Sequence, residues 1–345
     1  MGSAPLLAFT PRGIHCPAAD VYIDPWRAVD RAIITHAHSD HARRGSRHYL
    51  ASHITKPLMH ARYGGDLSID ALGHGETVTV NGVRFSLHPA GHIPGSTQVR
   101  VEHRGEVWVA TGDHKRHTDG ISAPFEPIRC HTFITECTFG LPIYRWRPPQ
   151  EVFTGIDAWW RGNAAQGICS IISAYSLGKA QRVMKGVDPS IGPILVHGAV
   201  ANMNQVLEQA GLSLPVWEQV TRETPKERFR NALVIAPGSS LGTPWSNRMR
   251  PYRTAMASGW MRLRGWRRRS DIDKGFVLSD HADWDALLQA VRDTGAERII
   301  ATHGYTDLFS RYLRGMGYDA TAESTEFMGE TGADIADTGD ITKVA

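Results

Sequence analysis

The sequence predicts an α/β protein in which one β-rich unit is interrupted by a second α/β unit. Three observations carry this expectation. Residues 1–145 hold short β-like runs broken by Gly, Pro, Asn and His. From 146 to 275 strand-like runs alternate with helical ones, the pattern of a mostly parallel sheet with crossover helices. After 276 a strand, a helix, a strand and a helix follow in turn, up to about 320. The expected domains are therefore 1–145 joined with 276–320, an insert over 146–275, and an acidic, mobile tail over 321–345.

In the first unit the strand-like runs are DVYID (20–24), RAIIT (31–35), ETVTVNGVRFSLHPA (76–90), TQVRVEHRGEVWVATGD (97–113) and TFITE (132–136). Asn81-Gly82 and Arg104-Gly105 fall where tight hairpin turns are needed. Polar, metal-capable residues repeatedly follow the strand ends, where functional loops sit on a β scaffold. In the insert, GICSIISAY precedes LGKAQRVMKGV, GPILVHG precedes AVANMNQVLEQAG, and ALVIAPG precedes TPWSNRM. The return begins with FVLSD (276–280) and the helical ADWDALLQAVRDTG. ERIIATHG (297–304) and the helical DLFSRYLRGMG complete it. From Asp319 onward seven acidic residues face Lys343 alone, with few large apolar side chains, which reads as a tail.

Composition narrows the function classes. At 41% hydrophobic and 21% charged, with net charge +3, the chain is of globular type. Its four cysteines show no C-x-x-C pairing, against a disulfide scaffold or a cysteine zinc site. No apolar stretch approaches the roughly 18 residues of a membrane span. The first residues, MGSAPLLAFT, lack a basic segment and a long apolar core, so no signal peptide is expected and the cytoplasm is the expected location.

The chemistry starts at THAHSDH (35–41), directly behind Ala32-Ile33-Ile34. His36 and His38, two apart on extended backbone, project to one side. Asp40 and His41 lie further round the turn, where a helix is expected to start. One metal could take His36 and His38, and a second Asp40 and His41, since zinc accepts imidazole nitrogen and carboxylate oxygen, usually four donors per ion. The loop alone leaves each ion short. Further donors are expected at later strand ends, each beside a glycine that permits a tight turn: His92 after Gly91, Asp113 after Gly112, and His303 before Gly304.

The order Asp24, THAHSDH, GHIPGS, TGDH and THG resembles the metallo-β-lactamase superfamily. Glu136 in TECTFG, His281 in LSDHAD and His303 in THGY resemble the three added motifs of its β-CASP nucleases. The α/β insert between Glu136 and His281 matches the position of the β-CASP domain, and the resemblance covers about residues 10 to 318. The stretches YIDPWRAVDRAIITHAHSDHAR and TGDHKR are most similar to bacterial ligase-associated DNA exonucleases. The resemblance implies an αββα sandwich with an inserted α/β domain, two divalent ions (Zn or Mn), and a DNA or RNA substrate. It also implies partnership with an ATP-dependent DNA ligase and a repair helicase. It assigns His36, His38, His92 and a bridging Asp113 to one ion, and Asp40, His41, Asp113 and His303 to the other, with Asp24 as support. Two divalent ions less Asp40, Asp113 and a hydroxide leave a charge of about +1, which suits a phosphodiester monoanion. His281 would act as general acid, oriented by Glu136.

Basic segments interrupt the near-neutral chain. Arg262, Arg264, Arg267, Arg268 and Arg269 cluster with Trp260 and Trp266, and Lys115 and Arg116 follow Asp113. Arginine pairs phosphates bidentately and indole rings stack on bases, so a nucleic-acid track is expected there. Gly238-Ser239-Ser240 is a candidate cradle for a terminal phosphate. His197 in LVHGAV lies inside the insert and is expected to be structural. SLGKA (176–180) lacks the first Gly and the final Ser/Thr of a P-loop. The resulting expectation is a DNA exonuclease, 5′ to 3′. An RNA-processing nuclease and a small-molecule thioester or lactone hydrolase of the same fold are the alternatives. The last of these would need neither Glu136, His281 nor the basic insert.

Overall fold

The computed structural model describes residues 5–263, 265 and 272–326. Contacts divide the described residues into two compact units, 5–145 with 281–326, and 146–280.

The first unit holds two mixed sheets. One runs β1 (Ala8–Thr10), β2 (Gly13–Cys16), β3 (Val21–Ile23), β4 (Arg31–Ile33), β5 (His48–Ser52) and β6 (Ile69–Leu72), side by side in that order. Its first three strands are antiparallel and the rest parallel. The other is built from β7 (Thr77–Val80), β8 (Val83–Pro89), β9 (Thr97–His103), β10 (Glu106–Ala110), β11 (Thr132–Cys137), β18 (Arg298–Gly304) and β19 (Asp319–Ala322), in the order β19-β18-β11-β10-β9-β8-β7. Both predicted hairpins form. Asn81 and Gly82 have φ of 49° and 78°, and Arg104 and Gly105 have φ of 53° and 85°. Positive φ at both central residues matches the right-handed strand twist.

The sheets pack face to face through Cys16, Val21, Ile23 and Ile33 on one side and Phe85, Leu87, Val99, Val101, Trp108 and Ile134 on the other. Each such side chain contributes about 1.5–3 kcal/mol when fully buried. Helix α1 (Thr55–Tyr63) packs beside β5 and β6. Helices α6 (Trp284–Thr294) and α7 (Thr306–Gly315) cover the other sheet, with Trp284, Leu287, Val291, Phe309 and Leu313 set on Phe133, Ile299 and Ala301. Helix α6 starts where Asp283 accepts a hydrogen bond from the Ala286 N–H at 2.9 Å, and stops at left-handed Gly295. The order of layers is helix, sheet, sheet, helix.

The second unit is a six-stranded parallel sheet: β12 (Cys169–Ser173), β13 (Ile194–Val196), β14 (Glu218–Gln219), β15 (Leu233–Ala236), β16 (Tyr252–Ala257) and β17 (Lys274–Phe276), in the order β14-β13-β15-β12-β16-β17. The central β12 and β15 are buried at every position, as a sheet covered on both faces requires. Helices α2 (Pro149–Ala164), α3 (Lys179–Gly186) and α4 (Gly198–Gln209) contribute Trp160, Val183 and Val200 to one core. Phe229 and Met249 fill another, and α5 is a single turn (Pro244–Asn247).

Two boundaries differ from the sequence reading. By sequence FVLSD reads as the start of the return, yet Phe276 closes β17, which pairs with β16, and residues to Asp280 pack with the second unit. Its apolar character serves the insert's sheet edge. The tail was expected from 321, but Asp319–Ala322 is strand β19, paired with β18, with Ala320 buried. The acid count misled because Asp319 is matched by Arg298 at 3.0 Å. Residues 327–345 lie outside the described residues.

Candidate metal centre

The THAHSDH segment leaves β4 and turns once. The His41 and Ala42 N–H groups donate to the His38 carbonyl at 3.2 and 2.8 Å. The helix expected to start there does not form; the chain runs on as loop to β5. Asp24 fixes this turn from β3. Its Oδ1 accepts from the Thr35 N–H (2.8 Å), and its Oδ2 accepts from the Thr35 hydroxyl (2.6 Å) and pairs with His41 Nδ1 (2.7 Å). With Nδ1 held by a carboxylate, Nε2 is the nitrogen of His41 left to meet a metal. His36 Nδ1 is likewise met by Thr35 Oγ1 at 3.0 Å, which turns its Nε2 inward.

The later strand ends arrive at the same place. His92 follows β8 and Asp113 follows β10. Gly112 has φ of 56°, and a Cβ there would lie 2.5 Å from Thr35 Oγ1, so only glycine lets the Asp113 loop approach the histidine loop. Asp113 Oδ2 is 3.7 Å from Nε2 of both His36 and His92, and its Oδ1 is 3.4 Å from His41 Nε2. His92 Nε2 and His38 Nδ1 are 3.2 Å apart. The donor atoms of His36, His38, His92 and Asp113 all lie within 4.8 Å of one another, as do those of His36, Asp40 and His41. His303, at the end of β18 with φ of 53°, stacks on His41 with ring centroids 5.3 Å apart. Asp40, His41 and His303 line one small recess.

This donor set fits divalent metal. Nε2 of His36 and of His41 are buried with no hydrogen-bond partner. Such an atom costs about 1–3 kcal/mol unless something satisfies it, and a divalent ion held by each would do so. Burial, reinforced by the His41 and His92 imidazoles, holds His36 well below the usual histidine range, so it is a neutral donor. Burial opposes charge on His41 too, but Asp113, Asp40 and Asp24 outweigh it and raise its pKa. Burial would raise Asp113, yet His41, His281 and His92 hold it well below the carboxylate range.

Glu136 and His281 meet beside this cluster. Glu136 Oε1 pairs with His281 Nδ1 at 2.8 Å and accepts from the His114 N–H at 2.9 Å, while Oε2 accepts from the Thr138 N–H at 3.3 Å. His281 Nδ1 is 3.9 Å from Asp113 Oδ2, and its ring centroid is 4.6 Å from that of His92.

The expected nucleic-acid contacts fare less well. Lys115 is 1% exposed and ion-paired with Asp119, and so is removed from any surface track. Arg116 is half-buried over Phe125 and paired with Asp293 at 2.6 Å. Ser240 is buried; its hydroxyl and its N–H both donate to the Pro237 carbonyl, so neither serves a phosphate. Ser239 is half-buried and Arg262 exposed, both in the second unit. Arg264, Arg267, Arg268 and Arg269 lie outside the described residues. His197 caps α4 by accepting from the Ala199 N–H, the structural role expected of it.

Three supports escaped the sequence. The Arg62 guanidinium donates to the Ala37 carbonyl at 2.7 Å, between His36 and His38. The Cys137 thiol donates to the His303 carbonyl at 3.0 Å. Lys115 Nζ donates to the His92 carbonyl at 3.0 Å. Only Thr35, inside the motif, had a signal that could have exposed its role.

No family model matches the chain. A protein of Opitutus terrae named a probable DNA ligase is 32% identical over 313 residues, 90% of this chain and 30% of that protein. The endoribonuclease YSH1 of Saccharomyces cerevisiae is 29% identical over 122 residues, 35% of this chain and 15% of that one. Cleavage and polyadenylation specificity factor 73 of Drosophila melanogaster is 28% identical over 182 residues, 50% of this chain and 26% of that one. The chain thus spans under a third of each of these relatives. Among solved structures, a protein of unknown function from Enterococcus faecalis has a TM-score of 0.54 at 12% identity, covering 78% of this chain and 74% of its own, a likeness of fold alone. The curated relatives, taken with the ordered motifs, support the metallo-β-lactamase family of the β-CASP type for this chain.

Proposed function

We propose that this chain is a metal-dependent nucleic-acid phosphodiesterase, a DNA exonuclease that works alongside a DNA ligase in repair. The observation that carries the reading is the Glu136–His281 pair set against the His/Asp cluster through Asp113. A hydrolase of small esters needs the cluster but not a second, carboxylate-oriented imidazole beside it. His36, His38, His92 and Asp113 would hold one ion, and Asp40, His41, Asp113 and His303 the other, zinc or manganese. When bound, two such ions lower the pKa of water and polarise phosphoryl oxygens. The protein's own part is orientation and proton delivery. Asp24 and Thr35 fix His41 and His36 in the tautomer that points Nε2 inward. Glu136 engages Nδ1 of His281 and favours its protonated form, leaving Nε2 as the edge from which a proton reaches the departing 3′- or 5′-oxygen.

The DNA assignment rests on the long alignment with the Opitutus terrae protein named a probable DNA ligase. The relatives named endoribonucleases favour RNA as a second reading. Digestion of end-labelled DNA and RNA, labelled at either terminus, with Mn²⁺ or Zn²⁺ present, separates them and gives polarity. Release of labelled mononucleotides from DNA but not RNA is the expected result. RNA cleaved faster than DNA would overturn the assignment. Equal cleavage by the parent and by Asp40→Ala and His281→Ala would overturn the site.

A smaller effect is expected at Asp24. Asp24→Asn keeps the shape but loses the charge that holds His41 Nδ1–H, so metal affinity should fall about 10–100-fold. Competition with a chromogenic chelator measures it, and parent-like affinity would remove Asp24 from the centre's support.

A further inference from the structure

We propose that Lys115 is a positioning residue that clamps the loop carrying His92 to the loop carrying Asp113, and so sets the donor group of His36, His38, His92 and Asp113. The inference rests on the two-metal reading above.

Lys115 and Asp119 are each 1% exposed, with Nζ and Oδ2 2.5 Å apart. The same ammonium donates to the His92 carbonyl at 3.0 Å, and the Lys115 N–H donates to the Ala90 carbonyl at 3.0 Å. The two loops touch backbone to backbone. Gly91 has φ of 76°, and a Cβ there would lie 2.1 Å from the Lys115 carbonyl oxygen. Asp119 is itself anchored: Oδ1 accepts from the Ile121 and Ser122 N–H groups at 3.0 and 2.8 Å, and Oδ2 accepts from the Ser122 hydroxyl at 3.1 Å. A rigid chain of contacts therefore runs from residues 119–122, through Nζ, to the main chain of His92. Asp113 stands two residues before Lys115 on the same loop. The separation it governs is the 3.7 Å between His92 Nε2 and Asp113 Oδ2.

Stability does not explain this choice of residues. Apolar side chains of similar volume usually serve a buried site as well as an ion pair does. A buried ammonium near a cation site is also adverse unless a carboxylate offsets it, which Asp119 does. What an apolar residue lacks is a donor for the His92 carbonyl.

The test separates charge balance from position. Lys115→Met leaves Asp119 buried without its partner, so the metal-free protein should melt earlier. Lys115→Met/Asp119→Asn removes both charges and keeps an oxygen for Ile121 and Ser122, so melting should recover towards the parent. Bound Zn²⁺ per chain after dialysis, by elemental analysis, and affinity by chelator competition are read on all three proteins. We expect two ions on the parent. The double variant should hold one of them about 10–100-fold more weakly despite its recovered melting temperature. A double variant that binds both ions as the parent does overturns the inference while leaving the two-metal reading intact. A parent that binds no ion overturns that reading itself.

Discussion

Asp113→Ala is expected to release both ions and to slow phosphodiester cleavage by about 1000-fold or more, ~4 kcal/mol of transition-state stabilisation. Its two oxygens face different histidines of the cluster. Oδ1 faces His41, while Oδ2 faces His36 and His92 and stands 3.9 Å from His281 Nδ1. It is also the carboxylate whose charge the surrounding histidines stabilise against burial. Removing it takes a donor from each ion at once and leaves several buried imidazoles around a small void. Asp40→Ala, by contrast, removes a donor from one ion only. The contrast is the measurement: elemental analysis should find both ions missing from Asp113→Ala and one retained by Asp40→Ala. If Asp113→Ala keeps two ions, or keeps a tenth of the parent's rate on end-labelled DNA, Asp113 does not bridge.

Why these loops converge was partly legible beforehand. The THAHSDH segment is compact, and Gly91-His92 and Gly112-Asp113 stand at strand ends, so polarity following an apolar run reported them directly. The Asn81-Gly82 and Arg104-Gly105 pairs also pointed to both hairpins, and the alternation of strand-like and helical runs to the insert's parallel sheet. What stayed hidden is what depends on three-dimensional neighbours. Lys115 and Arg116 look like a basic pair, but sequence cannot show that Asp119 and Asp293 wait for them. Ser240 looks available until its turn closes on the Pro237 carbonyl. Residues 276–280 fooled the boundary because an edge strand of the insert and a strand of the return have the same composition. Asp319 did so because its partner, Arg298, lies one helix away in sequence. Contacts that position main-chain carbonyls, such as Arg62 on Ala37 and Cys137 on His303, leave no pattern at all, since any donor of the right reach would do.

His281→Ala carries the second large expectation, and it bears on chemistry rather than on assembly. DNA cleavage should fall about 100- to 10,000-fold, the range for a positioned proton donor, with both ions retained. The decisive comparison uses a bis(p-nitrophenyl) phosphodiester. Nitrophenolate departs without a proton, so the same variant should cleave it at nearly the parent's rate. Glu136→Gln should fall between, because glutamine keeps a hydrogen bond to Nδ1 but no longer favours the charged imidazole. A nitrophenyl ester slowed as much as DNA would mean that His281 acts on substrate placement or on the ions, not on the leaving group. Loss of an ion from His281→Ala would say the same by another route. His281 stands 3.9 Å from Asp113 Oδ2 through the nitrogen that Glu136 already holds at 2.8 Å, so the Nδ1 edge of the ring faces the carboxylates and the proposed proton delivery falls to Nε2.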